Sequence, residues 1–274
     1  MKLCVSMWSM HRKFFKEGWS VLDFLDFCKK EKIQSVELLD VFWKDQAIEL
    51  PQVQKVLDKV GITVGAYAVT NDFVQEDEEK RRLALNAIVN GIQVAKELDT
   101  RVIRVFAGDI KEGYDFSSSL EYIVNGLQSA ASVAASEGIV LALENHGKLA
   151  GRSDQVHTII ERVGSSALRS TFDMGNFLLV DEDPMNAYHR LSSLIGHVHV
   201  KDLMKNDEGK GFKSLAGDYY LSTICGEGQV PIGPIFDSLA QSKYQGALSL
   251  EFEGSGDEAI AVQESVRFLQ PLLK

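Results

Sequence analysis

Cysteine and proline are scarce in this chain: 3 Cys and 5 Pro in 274 residues. Cys4, Cys28 and Cys225 lie far apart, are odd in number and form no C-x-x-C arrangement. That argues against a disulfide framework and a thiolate zinc site, and it fits a reducing, cytoplasmic setting. With no Pro-, Ser- or Gln-rich tract there is no visible linker, so residues 1–274 read as a single domain. No uncharged apolar run approaches the roughly 18 residues of a membrane span. The short apolar opening Leu3-Cys4-Val5 runs into His11-Arg12-Lys13 without a small-residue cleavage site, so no secretion signal is expected. Positive charge is also short, with 29 Lys+Arg against 39 Asp+Glu and a net charge of −10. Duplex binding draws its affinity from phosphate neutralisation by a basic face, so no nucleic-acid partner is expected. Gly-rich phosphate loops of the Walker or dinucleotide type are missing as well.

What is present is a repeated alternation. Eight short β-branched or apolar runs fall at residues 3–6, 35–39, 63–68, 101–106, 139–143, 169–172, 197–200 and 247–252. Continuous apolar runs of this length suit strands buried on both faces, as in a parallel sheet. Between them lie stripes of helical period: Leu85, Ile88, Ile92 and Ala95; Leu120, Ile123, Leu127 and Ala131; Val156, Ile159, Ile160 and Val163. Two further stripes are Ile235, Phe236 and Leu239, and Ile260, Val262 and Val266. Strand alternating with helix implies βαβ units, and eight units in about 250 residues imply an α/β fold of (β/α)8 TIM-barrel type. Residues 205–230 are the longest stretch without clear periodicity, with glycines between 209 and 217. They read as a long βα loop, either a lid or a surface insertion.

Barrel enzymes carry their chemistry at the C-terminal ends of the strands. In the second half of the chain four consecutive runs end in a metal-type donor. The fifth ends in Glu144-Asn145-His146, the sixth in Asp173-Met174-Gly175-Asn176, the seventh contains His199 before Lys201-Asp202, and the eighth ends in Glu251-Phe252-Glu253. Three carboxylates brought together repel one another unless a cation lies between them. Mixed carboxylate and imidazole donors suit one divalent ion: Mn²⁺, Mg²⁺, Co²⁺ or Zn²⁺. The other reading of each residue is an ordinary ion pair or helix cap.

The runs ALENHG, FDMGN, HVHVKD, GEGQVPIG and GALSLEFEG, with AYAVTNDF and RVIRVFAG earlier, resemble the sugar phosphate isomerase/epimerase superfamily, the xylose isomerase-like barrels. The resemblance covers nearly the whole chain. It implies a divalent metal held by Glu144, Asp173, His199 and Glu251, with Glu144 and Glu251 doubling as the catalytic acid/base pair. It also implies a small carbohydrate, free or phosphorylated, as substrate, and a homo-oligomer is compatible with it. The implied activity is isomerase or epimerase, by proton removal next to a carbonyl. A dehydratase of an inosose-like or cyclic hydroxy-ketone is the alternative from the same site. The AP endonuclease branch fits poorly, because it needs further histidines where this chain has Asn176 and the His-free stretch Tyr219 to Cys225.

Other polar residues near the strand ends are candidates for substrate contact. Lys201 follows His199 by two residues, so strand alternation turns it inward; it can bind a hydroxyl or pair with Asp202 or a glutamate. His146, Asn176 and Asn71 are the remaining substrate-binding candidates. His197 reads as a packed, hydrogen-bonded core histidine, Glu37 and Arg104 as an interior ion pair or substrate contacts, Trp8 as core or a stacking surface, and Glu227 as a turn cap or a residue that closes the site.

Overall fold

The computed structural model describes residues 1–273. Eight parallel strands close into a barrel: β1 (Lys2–Ser6), β2 (Ser35–Leu39), β3 (Thr63–Ala68), β4 (Val102–Val105), β5 (Val140–Glu144), β6 (Leu168–Asp173), β7 (Ile195–Val200) and a last strand at Ala247–Leu250. Closure is made where β1 pairs with both β2 and that last strand, with Val5 opposite Val36 and Leu250. The expected strands therefore agree with those observed to within two residues at their ends.

The outer ring is built from α1 (His11–Glu17), α2 (Val21–Lys30), α3 (Gln46–Val60), α4 (Glu78–Glu97), α5 (Phe116–Glu137), α6 (Ser153–Val163), α7 (Asn176–Leu179), α8 (Pro184–Leu191), α9 (Ile232–Gln241) and α10 (Glu258–Leu269). Their starts are written locally. In α2 and α5 the side chains of Ser20 and Asp115 accept from the third residue on, and that residue's side chain reaches back to the cap, satisfying two otherwise orphaned amides. The stripe residues Ile88 and Ile92 of α4 and Ile123 and Leu127 of α5 are fully buried against the barrel, which is what a 3.6-residue period over a sheet requires.

The barrel interior is layered. Its floor is made of small groups: Cys4 Sγ lies 2.9 Å from Ser35 Oγ. A Cβ on Gly65 would come within 2.4 Å of Cys4 Sγ and 3.0 Å of Ala247 Cβ, so only glycine fits in that layer. Burial raises the Cys4 thiol to about 12, which makes it a packing group and not a nucleophile. Charged groups begin one layer higher, with Glu37, Arg104 and His197.

The stretch after β7 corrects the reading of a structureless loop. It folds into a small antiparallel sheet of β8 (Asp202–Lys205), β9 (Phe212–Lys213) and β10 (Tyr219–Thr223), ordered β8-β10-β9; the last barrel strand is accordingly β11. Asp202 anchors its return. The carboxylate accepts from the amides of Gly226 (2.8 Å), Gly228 (2.9 Å) and Val230 (3.1 Å). A Cβ on Gly228 would stand 2.1 Å from Asp202 Oδ1, so the glycine before Gln229 is the condition for that approach. Glu227 is exposed and accepts from Thr223 Oγ1 at 3.2 Å. Among the described residues no helix is long and apolar enough to cross a membrane.

Candidate metal centre and active site

Strand order turns four separate sequence positions into one cluster. Glu144 ends β5, Asp173 ends β6, His199 is the penultimate residue of β7, and Glu251 follows β11. These strands are neighbours in the barrel, with Asp173 opposite His199 and His199 opposite Ser249. One donor atom from each of the four lies within 4.8 Å of every other. His199 Nδ1 stands 3.5 Å from Glu251 Oε1, 3.7 Å from Glu144 Oε1 and 3.9 Å from Asp173 Oδ2.

The donor atoms have been kept free on one side and fixed on the other. Asp173 Oδ1 accepts from the amides of Gly175 and Asn176, both at 2.9 Å, while its Oδ2 makes no hydrogen bond. His199 Nδ1 likewise has no hydrogen-bond partner, and its Nε2 lies 3.2 Å from each oxygen of Glu37. Buried polar atoms are rarely left unpaired. His199 Nδ1, without a hydrogen bond, and Asp173 Oδ2, with only the Lys201 ammonium 3.2 Å away, are aimed at a shared point among three carboxylates and one imidazole and fit a divalent cation of the hard to intermediate kind.

Electrostatics separates the two glutamates. Burial alone would push Glu144 upward, but His199 and then Arg104 hold it well below the usual carboxylate range. Arg104 Nε sits 3.2 Å from Glu144 Oε2, and Asn176 Nδ2 donates to Oε1 at 3.2 Å. Glu251 moves the other way, raised to about 7 by burial, with His199 and Lys201 opposing. Asp173 is also raised by burial, against the pull of Lys201.

Lys201 is buried and pairs with acids on two strands: Glu251 Oε2 at 3.0 Å, Asp173 Oδ2 at 3.2 Å and Glu253 Oε2 at 3.2 Å. Its sequence neighbour Asp202 is not a partner, having turned to the 226–230 amides. Burial would lower the Lys201 ammonium, yet Asp173, Glu253 and Glu251 hold it well above its ordinary value. Lys201 Nζ also donates to Asn176 Oδ1 at 3.4 Å.

A cavity of about 290 Å³ opens above this cluster. Glu144, Glu251, Glu253, Lys201, Arg104 and His146 line its polar side, and Trp8, Phe15, Leu39 and Val41 its apolar side. His146 packs on Phe106, their ring centroids 4.5 Å apart, and the Arg104 guanidinium lies 3.9 Å from the centroid of that same Phe106 ring. Trp8 is half-buried, and its indole N–H donates to Glu253.

Two expectations change on contact with the structure. Asn71 donates to the Phe106 carbonyl at 2.7 Å and accepts from the Phe106 amide at 2.9 Å; its amide clamps the backbone of a cavity-lining aromatic instead of being offered to a ligand. Glu37 pairs with His197 and His199, and Arg104 with Glu144, so the Glu37–Arg104 pair does not form. His197 is packed and hydrogen-bonded as expected: its Nε2 lies 2.6 Å from Glu37 Oε2. Glu253 was not singled out by sequence, although its spacing of two from Glu251 was the available signal that both face the same way.

The parallel barrel and its buried donor cluster define an α/β barrel with a metal-type site at the C-terminal mouth. The chain belongs to the xylose isomerase-like TIM barrel family, whose pattern matches residues 25–272. It is 26% identical over 230 residues to an inosose dehydratase of Mesomycoplasma hyopneumoniae strain J, covering 80% of this chain and 77% of that protein. To an inosose dehydratase of Clostridium botulinum strain Alaska E43 it is 25% identical over 139 residues, spanning 48% of this chain and about half, 46%, of that protein. Solved structures with the same fold include a probable 3-DHS dehydratase, AsbF, of Bacillus anthracis (TM-score 0.81, 18% identity, 98% of this chain and 99% of that one). Another is D-psicose 3-epimerase of Clostridium cellulolyticum H10 (TM-score 0.78, 15% identity, 100% of both chains).

Proposed function

We propose that this protein is a divalent-metal-dependent isomerase or epimerase of an unphosphorylated hydroxy-ketone sugar, acting by proton transfer at the carbon next to the carbonyl. The observation that carries this reading is the placement of Glu144 and Glu251. They come from different strands, flank the same donor cluster, and both line one cavity. Glu144, Asp173, His199 and Glu251 would hold the ion. When bound, the ion supplies Lewis-acid stabilisation of the charge that develops on the carbonyl oxygen.

The chain's own residues do the rest. One glutamate removes the α-proton and the other returns a proton, giving an epimer when both act at one carbon and an isomer when return is to the neighbouring carbon. Arg104 and Asn176 hold Glu144 oriented. Lys201 lines the cavity and steadies Asp173, Glu251 and Glu253. His146 extends the polar wall.

Charge accounting supports an unphosphorylated substrate. Phosphate recognition needs uncommitted Arg, Lys or backbone donors. Of the cavity's Arg and Lys residues, Arg104 is paired with Glu144 and Lys201 with three carboxylates. A metal-dependent dehydratase of a cyclic hydroxy-ketone is the second reading. The 26% identity with an inosose dehydratase over most of both chains favours it.

The test is solvent deuterium exchange. Chelator-treated protein, reloaded with Mn²⁺, Mg²⁺, Co²⁺ or Zn²⁺, is incubated in D₂O with a panel of free ketoses, their phosphates and inososes. Deuterium at a ring or chain carbon next to the carbonyl, with the skeleton retained, supports the proposal. Water loss selects the dehydratase. No exchange with any ion overturns both.

A further inference from the structure

Against His199, one of the four donors, lie two further buried polar residues, Glu37 and His197, that the proposed chemistry does not use directly. Glu37 of β2, His197 and His199 are all fully buried. Glu37 Oε2 is 2.6 Å from His197 Nε2, and both Glu37 oxygens are 3.2 Å from His199 Nε2. The hydroxyl of Ser6, on the strand between β2 and β11, reaches Glu37 Oε1 at 3.5 Å. A carboxylate in this position can only accept. The His199 proton facing it must therefore sit on Nε2, and in a neutral ring the lone pair is then on Nδ1.

That nitrogen is the one aimed at Glu144, Asp173 and Glu251 and without a hydrogen bond of its own. Among the described residues no other acceptor contacts His199 Nε2. We propose that Glu37 is a positioning residue for the metal centre: it fixes the Nε2–H tautomer and ring orientation of His199, and His197 holds Glu37 in place by donating from the other side. Carboxylates that hold a metal-ligating histidine in this way typically change metal affinity by about 10- to 100-fold when removed. The assignment also explains why a glutamate and a second histidine are retained at full burial, where an unpaired charge is costly.

This inference rests on the metal-binding reading above, and its test keeps the two apart. Calorimetric titration of chelator-treated wild-type protein and Glu37→Gln with Mn²⁺ compares affinity and stoichiometry. ¹H–¹⁵N correlation spectra of histidine-labelled, chelator-treated protein, at a pH where the ring is neutral, report the tautomer of His199 before any ion occupies Nδ1. The expected result is one ion per chain in both proteins, about 10- to 100-fold weaker binding in the variant, and a pure Nε2–H form of His199 in wild type that becomes mixed in Glu37→Gln.

Equal affinity with an unchanged tautomer in the variant overturns the inference alone. So does a second ion per chain that Glu37→Gln abolishes, because Glu37 would then be a ligand itself. Should Glu37→Gln not fold, the wild-type spectrum decides: a neutral His199 ring protonated at Nδ1 in the chelator-treated protein overturns the assignment, and one protonated at Nε2 supports it. Wild-type protein that binds none of the ions removes the proposed function and this inference together.

Discussion

Replacing Lys201 by methionine keeps the length of the side chain and deletes an ammonium that lies 3.0 Å from Glu251, 3.2 Å from Asp173 and 3.2 Å from Glu253. At an effective dielectric of about 20, each contact near 3 Å is a gross attraction of roughly 5 kcal/mol. The cost of desolvating a buried ammonium offsets most of that sum. What remains after truncation is the penalty of leaving buried carboxylates uncompensated, about 3–5 kcal/mol. Unfolding entropy of about 2.1 cal/mol/K per residue converts this to a fall in Tm of roughly 5–9 °C for a chain of this size. The measurement is thermal unfolding in excess chelator. Added divalent ion should return part of the loss, because a cation among the same carboxylates takes over the compensation. Glu253→Gln in the Lys201→Met background should also recover part of it, since the two side chains touch and their effects will not add. A Lys201→Met protein melting within about 2 °C of wild type in chelator would refute the reasoning, and would mean that these carboxylates share protons and do not need the lysine.

Glu144→Gln and Glu251→Gln should each lower deuterium exchange by about 10²- to 10⁴-fold; wild-type exchange in either removes that residue from the acid/base pair. Asp202→Ala strips the acceptor from the amides of Gly226, Gly228 and Val230. It should destabilise the protein by about 3 kcal/mol and speed hydrogen exchange at residues 226–230, and unchanged protection there would contradict the anchoring role. Asn71→Ala leaves the Phe106 amide and carbonyl without their partner, so stability should fall by about 1–3 kcal/mol, with KM rising more than kcat falls. A pure loss of kcat at unchanged stability would return Asn71 to direct substrate contact.

Local information sufficed for the barrel and for the donor set. An apolar run of four to six residues flanked by turn residues can be read one segment at a time. A donor at the end of such a run has a fixed side and a fixed end once the strand is parallel to its neighbours. Glu144, Asp173, His199 and Glu251 could be grouped on that basis alone, and they are the residues the structure brings within 4.8 Å of one another. The same two-residue alternation placed Lys201 inside and should have placed Glu253 there too.

Partner choice was another matter. Glu37 and Arg104 are both charged, inward and near in the strand sequence, so an ion pair between them was a natural reading. Only closure of the cylinder, with its tilt and stagger of strands, carries Glu37 across the interior to His197 and His199 and leaves Arg104 beside Glu144. The sheet formed by residues 202–223 and the clamp of Asn71 on Phe106 were equally hidden. The sequence by itself determined which groups exist, on which strand and at which end, because those properties depend on covalent spacing and backbone period. The tertiary structure alone decided which of them neutralise, orient or leave one another free, because those outcomes turn on through-space distances of about 3 Å that no pattern along the chain records.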